Sequence, residues 1–303
     1  MYSKILVPLD GSTAAESALP LVRSLARRLA LPVELLGAID LREISRSASA
    51  ADGLFLDRLL EDQSRRGAEY LAKIAPTLPG VQVTTRSEKG DAADVIIETA
   101  AVDKNTLIVM ATHGRSGLNR FLLGSIAEKV LRATANPLLL VKALEPIASQ
   151  GEAALTSIVV PLDGSDLAEG VLPTVEELAK KLDLEVVLIR AFAIPYGAYS
   201  TGDGFYDPVN LEAFLARLRE EASDYLERKA AHLKRNGVAN VSFVAKEGLS
   251  ADEIIKFARE TPANLIAMST HGRSGVKRWV LGSVTETVVR HSGDPVLVLR
   301  AGT

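Results

Sequence analysis

Apolar residues along this chain fall into two alternating rhythms. Short, nearly continuous apolar runs, such as Ile5-Leu6-Val7 and Leu138-Leu139-Leu140-Val141, are bounded by Gly, Pro, Asp or Ser. They read as strands buried on both faces. Longer stretches between them carry apolar residues at helical spacing. In the first half, strands are expected at about Lys4 to Leu9, Val33 to Ile39, Val81 to Arg86, Thr106 to Met110 and Leu138 to Val141. Helices are expected from near Thr13, over Leu54 to Ala75, over Ala92 to Ala101, and from near Ser125. Thr13-Ala14-Ala15-Glu16 reads as a capping box, and Asp166 stands at the N-cap of the counterpart helix. Alternation of strand and helix predicts an α/β fold. Right-handed crossovers lay helices over both faces of a parallel sheet.

The same order returns in the second half. Ile5 to Ser12 matches Ile158 to Ser165, Gly90 to Asp94 matches Gly248 to Asp252, and Pro137 to Val141 matches Pro295 to Leu299. Met110 to Ser125 returns almost letter for letter as Met268 to Ser283. The repeat is therefore domain-sized. It predicts domains at 1–143 and 155–303, with the Pro- and Gly-bearing seam Ala143 to Ala154 as linker.

Composition narrows the classes. The 303 residues suffice for two ordinary cores, and 47% hydrophobic with 24% charged residues is a globular balance. A formal charge of −3 makes no electrostatic case for nucleic acid or an anionic membrane surface. The absence of cysteine removes disulfides, thiol catalysis and thiolate metal sites. No apolar run approaches the roughly 18 residues of a membrane helix, and Met1-Tyr2-Ser3 leads straight into the first strand. A cytoplasmic protein is expected.

Ligands of parallel α/β sheets sit beyond the carboxyl ends of the strands. The repeated loop follows strand four, and Pro8-Leu9-Asp10 with Pro161-Leu162-Asp163 follows the first strand of each copy. Gly124 and Gly282 lack a Cβ where a helix begins, so a phosphate can approach bare backbone N–H groups. Ser125 and Ser283 can cap that helix or donate to a phosphate oxygen. Arg115 and Arg273 can neutralise phosphate charge or stay solvated, and Arg120 and Arg278 suit solvent better. His113 and His271 can bond a phosphate or ribose, or fix the loop. Asp10 and Asp163 can accept from ribose or base, reach a phosphate-bound Mg²⁺, or close an Asx turn with Gly-Ser. His232 and His291 are unrepeated and read as ordinary helix residues. No metal cluster, P-loop lysine, nucleophile elbow or dinucleotide fingerprint is present.

These residues resemble those of a tandem universal stress protein, and the match covers nearly the whole chain. ATP-binding members of that family carry G-x2-G-x9-G-[ST] after strand four. Here Gly114, Gly124 and Ser125 match its end in the first copy, and Gly272, Gly282 and Ser283 in the second. The leading glycine is replaced by Ala111 and Ser269. Both are small enough for a backbone approach if φ is negative.

The resemblance implies two tandem Rossmann-like domains, each a five-stranded parallel sheet in the order 3-2-1-4-5. It implies nucleotide contacts at Pro8, Leu9, Asp10, Ala38, Met110, Ala111, His113, Gly114, Arg115, Gly124, Ser125 and Ile126. In domain two they fall at Pro161, Leu162, Asp163, Ala191, Met268, Ser269, His271, Gly272, Arg273, Gly282, Ser283 and Val284. Ala38 and Ala191 would flank adenine. ATP, or AMP or ADP, is the implied ligand, with Mg²⁺ held mainly through the phosphates. The last strands, Leu138 to Val141 and Val296 to Leu299, are expected to pair within the chain as a pseudo-dimer, and association into a homo-oligomer stays open. Tyr196, Tyr199, Phe205 and Tyr206 would cover an adenine in domain two or pack on the partner domain, so domain two is expected to bind more tightly. The expected function is an ATP-binding stress or signalling module. A slow ATPase at the same site and a nucleotide-free adaptor are the alternatives.

Overall fold

The structure, a computed structural model, describes residues 1–40, 53–112, 123–142, 155–193, 208–270 and 282–300. Domain one runs β1 (Lys4–Pro8), α1 (Thr13–Glu16), α2 (Leu19–Leu29), β2 (Val33–Ile39), α3 (Gly53–Ile74), β3 (Val83–Lys89), α4 (Ala92–Ala101), β4 (Thr106–Ala111), α5 (Ser125–Ala133) and β5 (Leu138–Val141). Domain two repeats it with β6 (Ser157–Pro161), α6 (Asp166–Glu169), α7 (Leu172–Leu182), β7 (Glu185–Phe192), α8 (Pro208–Arg235), β8 (Val241–Glu247), α9 (Ser250–Glu260), β9 (Asn264–Ser269), α10 (Ser283–His291) and β10 (Val296–Leu299). Among the described residues no helix is long and apolar enough to cross a membrane.

The strands form one sheet in the order β3-β2-β1-β4-β5-β10-β9-β6-β7-β8. Each half is parallel and has the expected 3-2-1-4-5 order. The halves meet where β5 and β10 pair antiparallel, Leu139 opposite Leu297. The unpaired edge that each last strand would otherwise present is thereby closed within the chain.

Alternation along the strands divides the core between the two faces. Ile5, Val7 and Leu139 pack with Leu25 of α2, Leu71 of α3, Leu178 of α7 and Leu226 of α8. Leu6, Leu138 and Leu140 pack with Ile96 of α4, Val130 of α5, Ile254 of α9 and Val288 of α10. Charges reinforce the seam with near two-fold symmetry. Arg132 Nη2 lies 3.0 Å from Glu128 and 3.3 Å from Glu286, while Arg290 Nη2 lies 2.9 Å from Glu286 and 3.3 Å from Glu128. Burial pushes the Glu128 carboxyl up, but Arg132 and Arg290 outweigh it and hold it below the usual range.

Three local expectations need correcting. The first helix breaks into α1 and α2, because Pro20 in the first turn of α2 has no N–H to give and its ring would clash with a preceding helical carbonyl. The caps are Ser12 and Ser165, not Thr13 and Asp166. Each hydroxyl accepts from the N–H three residues on, Ala15 at 3.1 Å and Ala168 at 3.1 Å. The third strand spans Val83–Lys89 rather than Val81 to Arg86, since backbone pairing to all of β2 carries it through polar Glu88 and Lys89.

One cap distinguishes the domains. Asp91 accepts from the N–H groups of Ala93 and Asp94 at the start of α4, and Lys129 of α5 bonds it at 3.0 Å. Leu249 holds the same place before α9, which has no side-chain cap. The Lys129 hydrogen bond leads in holding Asp91 below the usual carboxylate range; burial opposes it, and the Asp94 and Ala93 N–H groups add to it. A lowered folded value means the stabilisation is full above the unfolded value of about 4 and fades as pH falls through the folded one. Asp91→Ala is therefore expected to lose about 1 kcal/mol near pH 7, a deficit that shrinks below about pH 4. Urea unfolding of both proteins across that range measures it.

Candidate functional site

The turn after β1 is built by its own side chains. Asp10 Oδ1 accepts from the Ser12 N–H at 2.9 Å and from the Ser12 hydroxyl at 2.6 Å, and Asp163 and Ser165 repeat both distances. The Asx turn is formed, and it sets the serine that caps the first helix. Asp10 and Asp163 remain on the cleft wall in each domain.

Opposite that turn, α5 and α10 begin without a side-chain cap. Their N-caps are Gly124 and Gly282, at φ −61° and −60°. Ser125 and Ser283 are the first helical residues, so the capping role does not fall to them. The Gly124 N–H donates to the Thr112 carbonyl at 2.8 Å, and Gly282 to Thr270 at 2.6 Å, which folds each loop end back onto its strand. The first-turn N–H groups beyond carry the positive end of the helix dipole, a setting suited to an anion.

In domain one, Pro8, Leu9, Asp10, Ala38, Met110, Ala111, Gly124, Ser125 and Ile126 surround one cleft of about 300 Å³. In domain two, Pro161, Leu162, Asp163, Ala191, Met268, Ser269, Gly282, Ser283 and Val284 surround one of about 660 Å³. Ala111 and Ser269 end the buried strands β4 and β9, and neither is among the residues with positive φ. Their backbones thus do without the missing glycine. His113, Gly114, Arg115, His271, Gly272 and Arg273 lie outside the described residues, as do Tyr196, Tyr199, Phe205 and Tyr206.

The clefts also have walls that motif reading passed over. Asp40, Ala92, Ile96 and Thr112 line the first, and Arg190, Phe214, Leu218, Glu221 and Ser250 the second. Thr112 and Thr270 were visible as part of the repeated loop, and Asp40 directly follows the expected second strand. Nothing in α8 repeats a residue of α3 at Phe214 or Leu218, so no sequence signal marked them. Among the described residues no group of three or more His, Asp or Glu is placed to hold a metal ion.

The family model of the universal stress proteins matches residues 1–142 and again 155–300. The chain belongs to that family. A universal stress protein of Methanocaldococcus jannaschii is 31% identical over 157 residues, 52% of this chain and 89% of that protein. One from Mycobacterium tuberculosis is 24% identical over 242 residues, 79% of this chain and 78% of its own length. The crystal structure of a universal stress protein from Archaeoglobus fulgidus shares the fold over 100% of both chains, with TM-score 0.71 at 22% identity. This universal stress protein therefore carries the family unit twice in one chain, joined through its last strands.

Proposed function

We propose that each domain, 1–143 and 155–303, binds ATP in its cleft and that the protein acts as a nucleotide-binding stress or signalling module. One observation carries this reading: in both copies a glycine N-cap with no side chain bonded to it opens a helix into a cleft at the carboxyl ends of parallel strands. The phosphates meet the first-turn N–H groups of α5 and α10, and the base lies between the β1 or β6 turn and Ala38 or Ala191. Mg²⁺ arrives on the phosphates, because among the described residues no group of three or more His, Asp or Glu stands ready to hold it. Both of those carboxylates already accept two hydrogen bonds from Ser12 or Ser165. That use fits a turn-setter better than a water-activating base, which favours binding over turnover. Domain two is the tighter site, since Phe214 and Leu218 add apolar wall there.

Mass spectrometry of the purified, heat-released protein tests the reading. An adenine nucleotide is expected to co-purify. Its absence, together with an unchanged melting temperature in millimolar ATP, would overturn the proposal.

A further inference from the structure

Domain two passes from α8 to β8 through Asn236-Gly237-Val238. Of the asparagines in the chain, Asn236 alone precedes glycine. That pair is open to attack on itself. Glycine has no Cβ to shield its backbone nitrogen, so the nitrogen can close on the asparagine carboxamide. The reaction needs no reagent but water. The Gly237 nitrogen bonds to Asn236 Cγ, the Cγ–Nδ2 bond breaks, and Nδ2 leaves as ammonia with the proton that the Gly237 nitrogen gives up. Water then opens the cyclic imide, at Cγ to give aspartate or at the main-chain carbonyl to give iso-aspartate.

The fold engages both reacting groups. Gly237, at φ +93°, caps α8 in the left-handed region and donates its N–H to the Lys234 carbonyl at 3.0 Å, while Val238 donates to Leu233 at 3.1 Å. Leu233 and Val238 are both buried, which fastens the turn to the core. The carboxamide is held from the neighbouring helix. Asn236 Nδ2 donates to Glu176 Oε2 of α7 at 2.8 Å and lies 3.3 Å from His232 Nε2. Lys180 bonds the other Glu176 oxygen at 2.7 Å, and it leads, ahead of Asn236, in holding that carboxyl below the usual range. Domain one fastens the matching turn without an amide. Pro79-Gly80-Val81 leads to β3 there, and Arg23 and Arg27 bond the Thr77 and Pro79 carbonyls at 3.0 Å and 2.8 Å. Those arginines stand in α2 where Glu176 and Lys180 stand in α7. The asparagine clasp thus belongs to domain two.

We propose that Asn236 is a site of covalent modification, a deamidation site that Glu176 keeps closed and that opening of the last turn of α8 exposes. Fraying of that turn frees the Gly237 nitrogen, but the carboxamide stays on α7 until the Glu176 bond breaks as well. The product cannot restore the clasp. Aspartate or iso-aspartate at 236 has no side-chain N–H for Glu176 and sets carboxylate against carboxylate. Iso-aspartate also adds an atom to the main chain of a turn that three successive residues define. The change runs one way, so Asn236 records how long the end of α8 stays open, and once made it loosens the entry to β8. The inference does not rest on nucleotide binding in either cleft.

Incubation of the full chain in mildly alkaline buffer tests it, with mass spectrometry of the peptide that spans Asn236 as the readout. The folded chain is expected to deamidate there more slowly than the urea-unfolded chain by about tenfold or more, since the reaction waits on local opening. Glu176→Ala, a change at the helix surface, is expected to speed the folded chain about fivefold or more, because a hydrogen bond to a charged group no longer opposes opening. Glu176→Gln keeps an oxygen that accepts from Asn236 and is expected to stay within about twofold of the parent. Deamidation as fast in the folded parent as in urea, a parental rate in Glu176→Ala, or equal acceleration by both substitutions would overturn the proposal.

Discussion

Gly124→Leu is expected to lower the proposed ATP affinity of domain one by about 100-fold, and Gly282→Leu to do the same in domain two. The two glycines stand at ordinary extended angles, φ −61°, ψ 149° and φ −60°, ψ 137°. Leucine can adopt these angles without strain, so the substitution changes what can approach the backbone rather than the backbone itself. In the proposed pose a leucine side chain at that N-cap would crowd a phosphate out of two or more charge-assisted hydrogen bonds to the first-turn N–H groups, each worth about 1.5–3 kcal/mol. The N-cap change itself costs about 1 kcal/mol at most, and melting without nucleotide reports that part separately. Each single variant should titrate as a one-site protein and the double variant should not bind. Unchanged affinity in either single variant would remove the helix N-terminus from the site.

Leu139→Asp is expected to cost about 4 kcal/mol or more, the largest single effect on folding. Leu139 is 1% exposed, lies opposite Leu297 at the centre of the ten-stranded sheet, and packs in the core shared by both domains. An aspartate there loses the apolar burial of leucine and strands a charge among buried apolar side chains. Leu297→Asp should match it, because the seam is symmetric. Urea unfolding should show a lower midpoint for the whole chain, and the freed strand edges should promote association between chains. A shift confined to a few tenths of a kcal/mol would show that the halves do not depend on their seam.

The order of strands and helices was legible because each element carries a clear period and the second copy repeats it. Its failures were local. Val81 to Arg86 was misplaced because an edge strand is held by backbone pairing to β2, which hydrophobicity does not report. The capping serines were passed over for Thr13 and Asp166 because the Asx turn that orients Ser12 and Ser165 depends on three-dimensional closure. Around the clefts, motif residues near strand ends were readable by position. Phe214, Leu218 and Arg190 were not, since they come from parts of α8 and β7 that differ between the copies.

A stoichiometric titration of the full chain with ATP and with adenosine tests the central claim most directly. Two ATP sites per chain are predicted, with adenosine weaker at both by about tenfold or more, because the helix N-termini act on the phosphates and not on the nucleoside. Absence of ATP binding, or equal affinity for adenosine, would contradict the account.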